Sequence, residues 1–548
     1  MNKPLLLSLA AATILGTNLN AESMYERIQA MELQMKQMQQ EIKTLKAEKG
    51  EATQEDEDET TTAIADDEAD EDEGEADSDD TEDESDDDEE ETIEEQIADM
   101  QESITELNKG TNGNHLKFGV DYRFAIENIQ YKMAAQDTNG EDKFTNDAFM
   151  TNRFWLNMNW AATENLSFHG QLAYNKAFGA RSGASPATAG MEGFDWIANE
   201  NAFDDKVRVR SVYFLYKNDE FLGADMPWTF SIGRRPSTNG HLVNLRDDDH
   251  QASPMGHNIN VEFDGLSAKF GLENITNVDG MYVKFCAGRG MSNAQPMFSP
   301  NGTPFASDET ANPDIDLIGL IFVPYDNGQY SFNTQYYYAN NLIDQHVDNT
   351  GTVTGDFDTV GGLHAITANI KMDGIGDEWS DFLDDTVFFL SGAMSITDPS
   401  KTYEHWVGNN YVNAKGMLGS EDSETGYSVW VGTQFPSLIT EDGRWGLEYN
   451  WGSQYWRSMT YGEDTNIGSK LAARGNAYEA YFTEYLVDDI LSMQIRYTFI
   501  DYDYRGSNGF FGNSSGNAMT IDDAVSNGLG AQTVDTAQDI RFYLRYKY

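Results

Sequence analysis

Two groups of charged residues occupy positions from which they could act on a solute that passes between them. The basic group lies on polar positions of alternating stretches and at the start of one long polar segment; it consists of Arg153, Arg208, Arg210, Arg234 and Arg235. The acidic group is one uninterrupted run, Asp247, Asp248 and Asp249. Opposed rows of charge across a narrow space create a transverse field that orders water and disfavours apolar solutes. Such a field requires elements that place the two rows on opposite sides of an enclosed space.

Catalytic and metal-binding chemistry is not indicated by the residues. Three histidines, His241, His250 and His257, fall in one segment, but such a set is more often scattered polar residues than a metal site. We find no Ser, His and acid on adjacent polar positions, which a nucleophilic hydrolase would need. The single cysteine, Cys286, excludes an intrachain disulfide and a cysteine-rich metal site. We therefore expect no enzyme activity, no cofactor and no metal.

The elements that would position these charges are β-strands with one apolar and one polar face. The chain ends in QDIRFYLRYKY, where Ile540, Phe542, Leu544, Tyr546 and Tyr548 alternate with mostly charged residues. A period of two is the spacing of a strand. The same alternation recurs from about residue 116 onward, for example in LKFGVDYRFAI and LSMQIRYTF.

Connections between these stretches alternate between short turns and long loops rich in Gly and Asn. That alternation is typical of an outer-membrane barrel, whose short turns and long loops lie on opposite sides of the membrane. Counting HNINVEFDGLSAKFGLEN as one long strand with a bulge gives sixteen strands, with eighteen as an alternative. Because the backbone must be fully hydrogen-bonded in lipid, the antiparallel sheet has to close. The predicted fold class is an all-β transmembrane barrel, and sixteen strands would leave an aqueous lumen.

The sequence predicts four different segments on the N-terminal side of the barrel. Residues 1–21 have the pattern of a secretory signal peptide. Residues 22–48 form a periplasmic coiled coil with apolar spacings of three and four, and its seam is Ile28, Met31, Met35, Met38, Ile42 and Leu45. Residues 49–92 form an acidic disordered linker, and residues 93–109 form a second short helix. The barrel itself is expected over 110–548.

The charge balance bears on partners and selectivity. The chain carries a formal net charge of −57, of which −27 falls in residues 109–548. Nucleic acid is therefore excluded as a partner, because its phosphates would be repelled. An acidic barrel domain predicts a preference for cations over anions.

The terminal strand resembles the C-terminal assembly signal of bacterial outer-membrane proteins. That resemblance implies that Phe542, Leu544, Tyr546 and Tyr548 face lipid and are bound by the barrel-assembly machinery. Signal peptide, N-terminal coiled coil and a barrel of this size together resemble trimeric bacterial porins, especially the sucrose-porin type with its periplasmic extension. The stretch FSIGRRPSTNGHLVNLRDDDHQASPMGH resembles a family of uncharacterised porin-like proteins. The implied protein is a homotrimer in the bacterial outer membrane, with its N-terminal part in the periplasm.

In general porins the third loop folds into the barrel and its acids face arginines of the wall. By this resemblance, segment 236–256 would bring Asp247, Asp248 and Asp249 to a pore constriction opposite the five arginines. Alternatively, the arginines neutralise nearby acids or contact lipopolysaccharide. The predicted function is a diffusion channel for small hydrophilic solutes. Two alternatives are a structural tether between the outer membrane and the cell wall, where peptidoglycan would be a partner, and a channel specific for a sugar or a carboxylate. For a sugar, Trp155, Tyr481 and Tyr543 would form a sliding path.

Overall fold

The structure is a computed structural model that describes residues 116–179, 206–291, 313–347, 353–376, 379–400, 404–407, 410–413, 416–460, 463, 465–506 and 518–548. The predicted signal peptide, coiled-coil seam, acidic linker and second helix all lie outside the described residues. Among those that are described, no helix is long and apolar enough to cross a membrane.

Sixteen antiparallel strands form one closed barrel, as the sequence predicts. Each strand pairs with the next along the chain, and the last strand pairs with the first. The barrel strands are β1 (Lys117–Met133), β2 (Lys143–Ala161), β3 (Leu166–Ala177), β4 (Arg208–Asn218), β5 (Trp228–Ser237), β8 (Val261–Gly271), β9 (Tyr282–Met291), β10 (Ile315–Asp326), β11 (Tyr330–Val347), β12 (Val353–Asp373), β13 (Val387–Pro399), β16 (Thr425–Pro436), β17 (Gly443–Gly452), β18 (Gly475–Val487), β19 (Leu491–Tyr502) and β20 (Val534–Lys547).

Smaller elements lie in the connections. They are β6 (Gly240–His241), β7 (Ala252–Met255), β14 (Glu404–Val407), β15 (Asn410–Asn413), α1 (Val243–Arg246), α2 (Glu273–Thr276), α3 (Asp381–Asp384) and α4 (Ile521–Ser526), with three short 3₁₀ turns at Gly416–Leu418, Lys470–Ala472 and Gly530–Gln532. Strands β6 and β7 pair in parallel, and β14 pairs with β15.

Strand β20 shows how the period of two becomes an inner and an outer face. Arg541, Tyr543 and Arg545 are buried, whereas Leu544 and Tyr546 between and beside them are exposed. In the pairing of β20 with β1, Arg545 lies directly opposite Arg123. Every one of the sixteen barrel strands exposes at least one large apolar side chain. The outer surface of the barrel is therefore apolar all the way round.

Short and long connections alternate over most of the barrel, as the sequence predicts, but three details differ. Strands β1 and β2 are joined by residues 134–142, and β11 and β12 by residues 348–352, so both hairpins extend further than expected. The stretch HNINVEFDGLSAKFGLEN is not one strand, because β8 begins only at Val261 and the residues before it belong to a folded loop. Since that loop replaces the strand's first residues, the count of sixteen is unchanged.

The interior of the barrel is filled more than sixteen strands alone would predict. Inward side chains of the wall pack against the connections, and one buried apolar cluster joins Phe263 and Tyr337 of the wall to Met417 and Met459 of two connections. Another joins Leu242 and Val243 of the 238–260 connection to Trp430. The core of this molecule therefore lies inside the barrel, between wall and loops.

Candidate pore constriction

The connection 238–260, called L3 below, folds into the barrel. Its two arms approach each other through the parallel pairing of β6 and β7. Gly256 makes this approach possible, because a Cβ at that position would overlap the side chain of Val243. L3 thereby becomes a compact unit with its own short helix, α1, rather than an extended loop.

Backbone and side-chain contacts tie L3 to wall strands on the far side of the barrel. His241 Nε2 lies 3.0 Å from Asn333 Nδ2 of β11. Gln434 of β16 donates to the carbonyl oxygen of Leu245 at 3.0 Å, and Gln494 of β19 donates to that of Arg246 at 2.8 Å. L3 therefore crosses the lumen, since it starts at β5 and is held by strands up to β19.

A buried ionic cluster fixes the tip of L3. Arg246 Nη1 lies 3.3 Å from Glu479 Oε1 of β18 and 3.4 Å from Glu463 Oε1 of the 453–474 connection, called L7 below. Lys470 of L7 lies 2.6 Å from Glu448 Oε2 and also pairs with Glu479. All five side chains are at most 4% exposed. Removing one partner from such a buried set leaves an uncompensated charge, so the cluster holds L3 and L7 together against the wall.

The three predicted aspartates of L3 face strand β20. Tyr543 donates its hydroxyl proton to Asp247 Oδ1 at 3.1 Å, and Arg545 Nη2 lies 2.6 Å from Asp249 Oδ1. Asp248 has a positive φ of 49°, and its carbonyl oxygen accepts from Lys547 Nζ at 2.8 Å. The cations opposite this acidic run are thus Arg545 and Lys547.

Arg153 and Arg210 lie on the inner wall, and both are close to the ring of Trp155. Their guanidinium carbons stand 3.6 Å and 4.3 Å from the centroid of the Trp155 ring, so both cations contact the indole. Arg153 Nη2 lies 3.3 Å from Asp121 Oδ2, and the same carboxylate also binds Arg545. Asp121 therefore joins predicted Arg153 to the row that faces the L3 aspartates.

The other predicted arginines are paired along their own part of the wall. Glu262, fully buried, lies 3.2 Å from Arg210 Nε and 3.0 Å from Arg234 Nη2. Arg235 donates to Ser267 and stacks over the Tyr213 ring at 4.9 Å. Arg208 opens strand β4 and is half-buried. Arg210 lines the same cavity as Asp249 of the acidic run.

Several residues of the site were missed by the sequence analysis. Asp121 and Arg545 occupy inward positions of β1 and β20, so the period-two pattern could have predicted them. Arg246, Glu463 and Lys470 lie in L3 and L7, where no periodic pattern exists. Their roles depend on where these connections fold.

The three histidines of L3 are separated. Burial lowers the pKa of His257 to about 3 and that of His241 to about 4. His257 contacts serine hydroxyls with both ring nitrogens, Ser391 at 2.8 Å and Ser428 at 2.9 Å, while His250 is exposed. In the described part of the chain, no group of His, Cys, Asp and Glu has the arrangement of a metal site.

Three cavities follow L3 along the lumen, and His250 lines all of them. The first, of about 1200 Å³, opens among the short turns and is called the vestibule. Nine carboxylates line it, namely Asp248, Asp249, Asp373, Asp384, Asp385, Glu441, Asp442, Asp488 and Asp489, against the cations Arg444 and Lys547. The second, of about 400 Å³, lies beside Asp121, Arg210 and Arg545. The third, of about 410 Å³, lies between L3 and strands β4 to β10 and is called the basic cavity.

The model of one protein family, described as a protein of unknown function (DUF3373), matches residues 143–548. The chain belongs to this family. The match includes fifteen of the sixteen barrel strands of the DUF3373 chain, together with L3 and L7. No curated protein matches the sequence.

Solved structures similar to this DUF3373 chain include OmpT, an outer-membrane protein of Vibrio cholerae, and two others. The trimer form of OmpT from Vibrio cholerae has 11% identity and a TM-score of 0.39, and the match covers 79% of this chain and 99% of that one. OmpF from Salmonella typhi, in complex with daunomycin, has 13% identity and a TM-score of 0.41, and the match covers 80% of this chain and 99% of that one. OprB from Pseudomonas putida, at high pH, has 14% identity and a TM-score of 0.40, and the match covers 82% of this chain and 97% of that one. A likeness this remote supports no assignment of solute or assembly.

Proposed function

We propose that this protein is a porin-type channel of the bacterial outer membrane through which small hydrophilic solutes diffuse. The observation that carries the proposal is a closed sixteen-stranded barrel that is apolar outside and charged inside, with L3 folded across its lumen. Catalysis is not part of the proposal.

The outer surface supports a place in the membrane. Side chains such as Phe285, Ile318 and Ile495 are 52%, 63% and 48% exposed on the outer face. An apolar surface that encircles a barrel is unfavourable in water and favourable in lipid. Closure also leaves no strand edge, so the backbone of all sixteen strands is hydrogen-bonded, as the hydrocarbon layer demands.

The cavities along L3 support a solute path. His250 lies at the junction of all three cavities, Asp249 is shared by the vestibule and the second cavity, and Arg210 by the second cavity and the basic cavity. Polar and charged groups line the junctions, so a hydrated solute replaces water contacts with protein contacts as it moves. The filled remainder of the lumen implies a narrow path.

The vestibule supports a preference for cations. Carboxylates outnumber cations there, and the short turns that surround it would face the periplasm. A mouth lined by one sign of charge raises the local concentration of ions of the opposite sign.

Planar-bilayer recording of the purified chain tests the proposal. We expect discrete conductance steps and, in a gradient of KCl, a reversal potential on the cation side. Neutralising two vestibule residues, Asp488→Asn with Asp489→Asn, should move that potential toward zero, whereas Asp219→Asn in another short turn should not. A folded protein without steps would refute the channel, and an anion-side potential would refute the cation preference.

Further features of the predicted assembly belong to the same proposal. A homotrimer would bury part of the apolar outer face, and the N-terminal segment, similar to the sucrose-porin type, would reach through the periplasm toward peptidoglycan. Outer-membrane lipid, lipopolysaccharide and the barrel-assembly machinery, bound through the terminal strand, are the other proposed partners. Tyr481 and Tyr543, each 2% exposed, give a sugar path no support, whereas Trp155, 3% exposed, lines the second cavity.

A further inference from the structure

We propose that the basic cavity binds a small organic anion, with a carboxylate at Arg235 and Lys284 and an apolar body against Phe263, Leu317 and Ile321. This inference names a solute class and so rests on the proposed channel, but its test below needs no ion current.

The first step of the argument is the charge of the cavity wall. Arg210, Arg235 and Lys284 line the cavity, and none of the described residues that line it is an Asp or Glu. This is the reverse of the vestibule, where carboxylates dominate. A solute group that enters the basic cavity therefore meets positive charge on several sides.

The second step is the state of Lys284. Its side chain lies on the inner face of β9 and is only 6% exposed. Nζ donates to Ser253 Oγ of L3 at 2.7 Å, and no carboxylate among the described residues pairs with it. The charges of Arg235 and Lys269 are close enough to act on it unfavourably. A buried ammonium with one neutral acceptor is costly, and an anion in the adjoining cavity would offset that cost.

The third step is the geometry of Arg235. Its guanidinium is held over the Tyr213 ring and donates to Ser267. Nε is buried and lacks a hydrogen-bond partner among the described residues. A planar guanidinium fixed in this way presents fork-like donors that match a carboxylate. Arg210, in contrast, is already paired with Glu262.

The fourth step separates an organic anion from an inorganic one. Phe263 and the aliphatic side chains Leu317 and Ile321 form part of the lining. A cavity of about 410 Å³ is large for inorganic phosphate and sufficient for a small ring or chain that carries one charged group. If only an inorganic ion were bound, the apolar lining would stay in contact with water and would contribute no free energy of burial to binding.

Cys286 provides a native probe, because it lines the same cavity and is the only cysteine of the chain. The test measures, by mass, how fast Cys286 of the full folded chain in detergent reacts with two methanethiosulfonates. One reagent carries a sulfonate and the other a trimethylammonium group. We expect the anionic reagent to react about tenfold faster relative to a free thiol, because Arg235 and Lys284 add positive charge to the cavity while Arg210 is paired with Glu262. Benzoate should slow this reaction, and benzyl alcohol and inorganic phosphate should slow it much less.

Two variants test the assignment of the cations. Lys284→Met and Arg235→Gln should each reduce the preference for the anionic reagent and the protection by benzoate. Lys132→Met removes the same charge from a lysine paired with Asp535 outside the cavity, and should change neither. Heat-dependent electrophoretic mobility confirms that each barrel is folded, and either of the two variants suffices if the other does not fold.

The opposite results would overturn the proposal. An equal or faster reaction with the cationic reagent, or an unchanged preference in folded Lys284→Met and Arg235→Gln proteins, would show that the cavity does not select anions. Equal protection by phosphate and benzoate would show that the bound anion needs no apolar organic part. If the protein showed no bilayer conductance but benzoate still protected Cys286, the channel would be refuted and the binding site would be supported.

Discussion

Glu479 is the residue on which the charges of L3, L7 and the wall converge. Its carboxylate lies beside Arg246 of L3 and Lys470 of L7, and it accepts a hydrogen bond of 2.8 Å from Thr498. His257 of L3 is also buried, but it is a neutral side chain that contacts two serine hydroxyls. Both residues hold L3 in place: Glu479 does so by pairing with Arg246, and His257 by hydrogen bonds to Ser391 and Ser428.

Replacing Glu479 should loosen L3. Glu479→Gln keeps the shape of the side chain but leaves Arg246 and Lys470 with one carboxylate fewer in a buried space. We expect a loss of about 3–5 kcal/mol in the free energy of unfolding, measured as the urea midpoint in detergent. Bilayer currents should also become noisier as L3 moves. The exposed control Glu220→Gln should change neither, and equal stability of the two variants would show that this cluster does not hold the loop.

His257 should make stability depend on pH. Its pKa falls from an ordinary 6.5 to about 3 on folding, so the unfolded chain binds the proton first as the pH drops. Stability is therefore full above pH 6.5 and is lost as the pH falls toward 3, by about 2 kcal/mol at pH 5. His257→Gln should remove this component from the pH profile of the urea midpoint, whereas His250→Gln should retain it. Identical profiles for both variants would contradict the assignment.

Strands β17 and β18 show how an element adapts to a filled lumen. Gly446 of β17 lies directly opposite Tyr481 of β18 in the register, and the tyrosine ring occupies the space that a Cβ at Gly446 would need. Tyr481 is 2% exposed, so this packing lies at the inner wall. A glycine that weakens a strand by itself is thus used to admit a large ring from the neighbouring strand.

Gly446→Ala should destabilise the barrel by about 1–3 kcal/mol through overpacking of Tyr481. Gly392 of β13 is the matched control, because a Cβ there meets no atom within 4 Å and the position is exposed. The urea midpoint of Gly392→Ala should equal or exceed that of the unchanged protein. If Gly446→Ala were as stable as Gly392→Ala, the ring would have room to move and the packing argument would fail.

At the scale of the whole molecule, closure depends on the pairing of β1 with β20. This seam runs over most of both strands, from Asp121 with Lys547 to Met133 with Val534. All sixteen strands of the closed sheet lie within residues 117–547. We therefore expect the barrel to be separable from the N-terminal segment.

Deletion of residues 24–108 should leave the conductance steps unchanged, because all sixteen strands remain. A longer deletion, 24–126, removes much of β1 and should abolish the folded barrel, as judged by heat-dependent mobility. Loss of envelope integrity in cells that carry the shorter deletion, with normal conductance in bilayers, would assign the tether role to the N-terminal segment. Loss of conductance in the shorter deletion would contradict separability.

The presence of alternating strands, and the inner or outer position of residues in a strand such as β20, follow from the sequence alone, since the side-chain period of a strand is a local property of the backbone. That is why β20 could be divided correctly into exposed Leu544 and buried Arg545. The partners of L3 could not be derived in this way: Asp249 and Arg545 are 296 positions apart, and Arg246 and Glu479 are 233 apart. Only the tertiary structure decides them, because a loop has no periodic pattern and its path is set by the shape and charge of the wall that it meets.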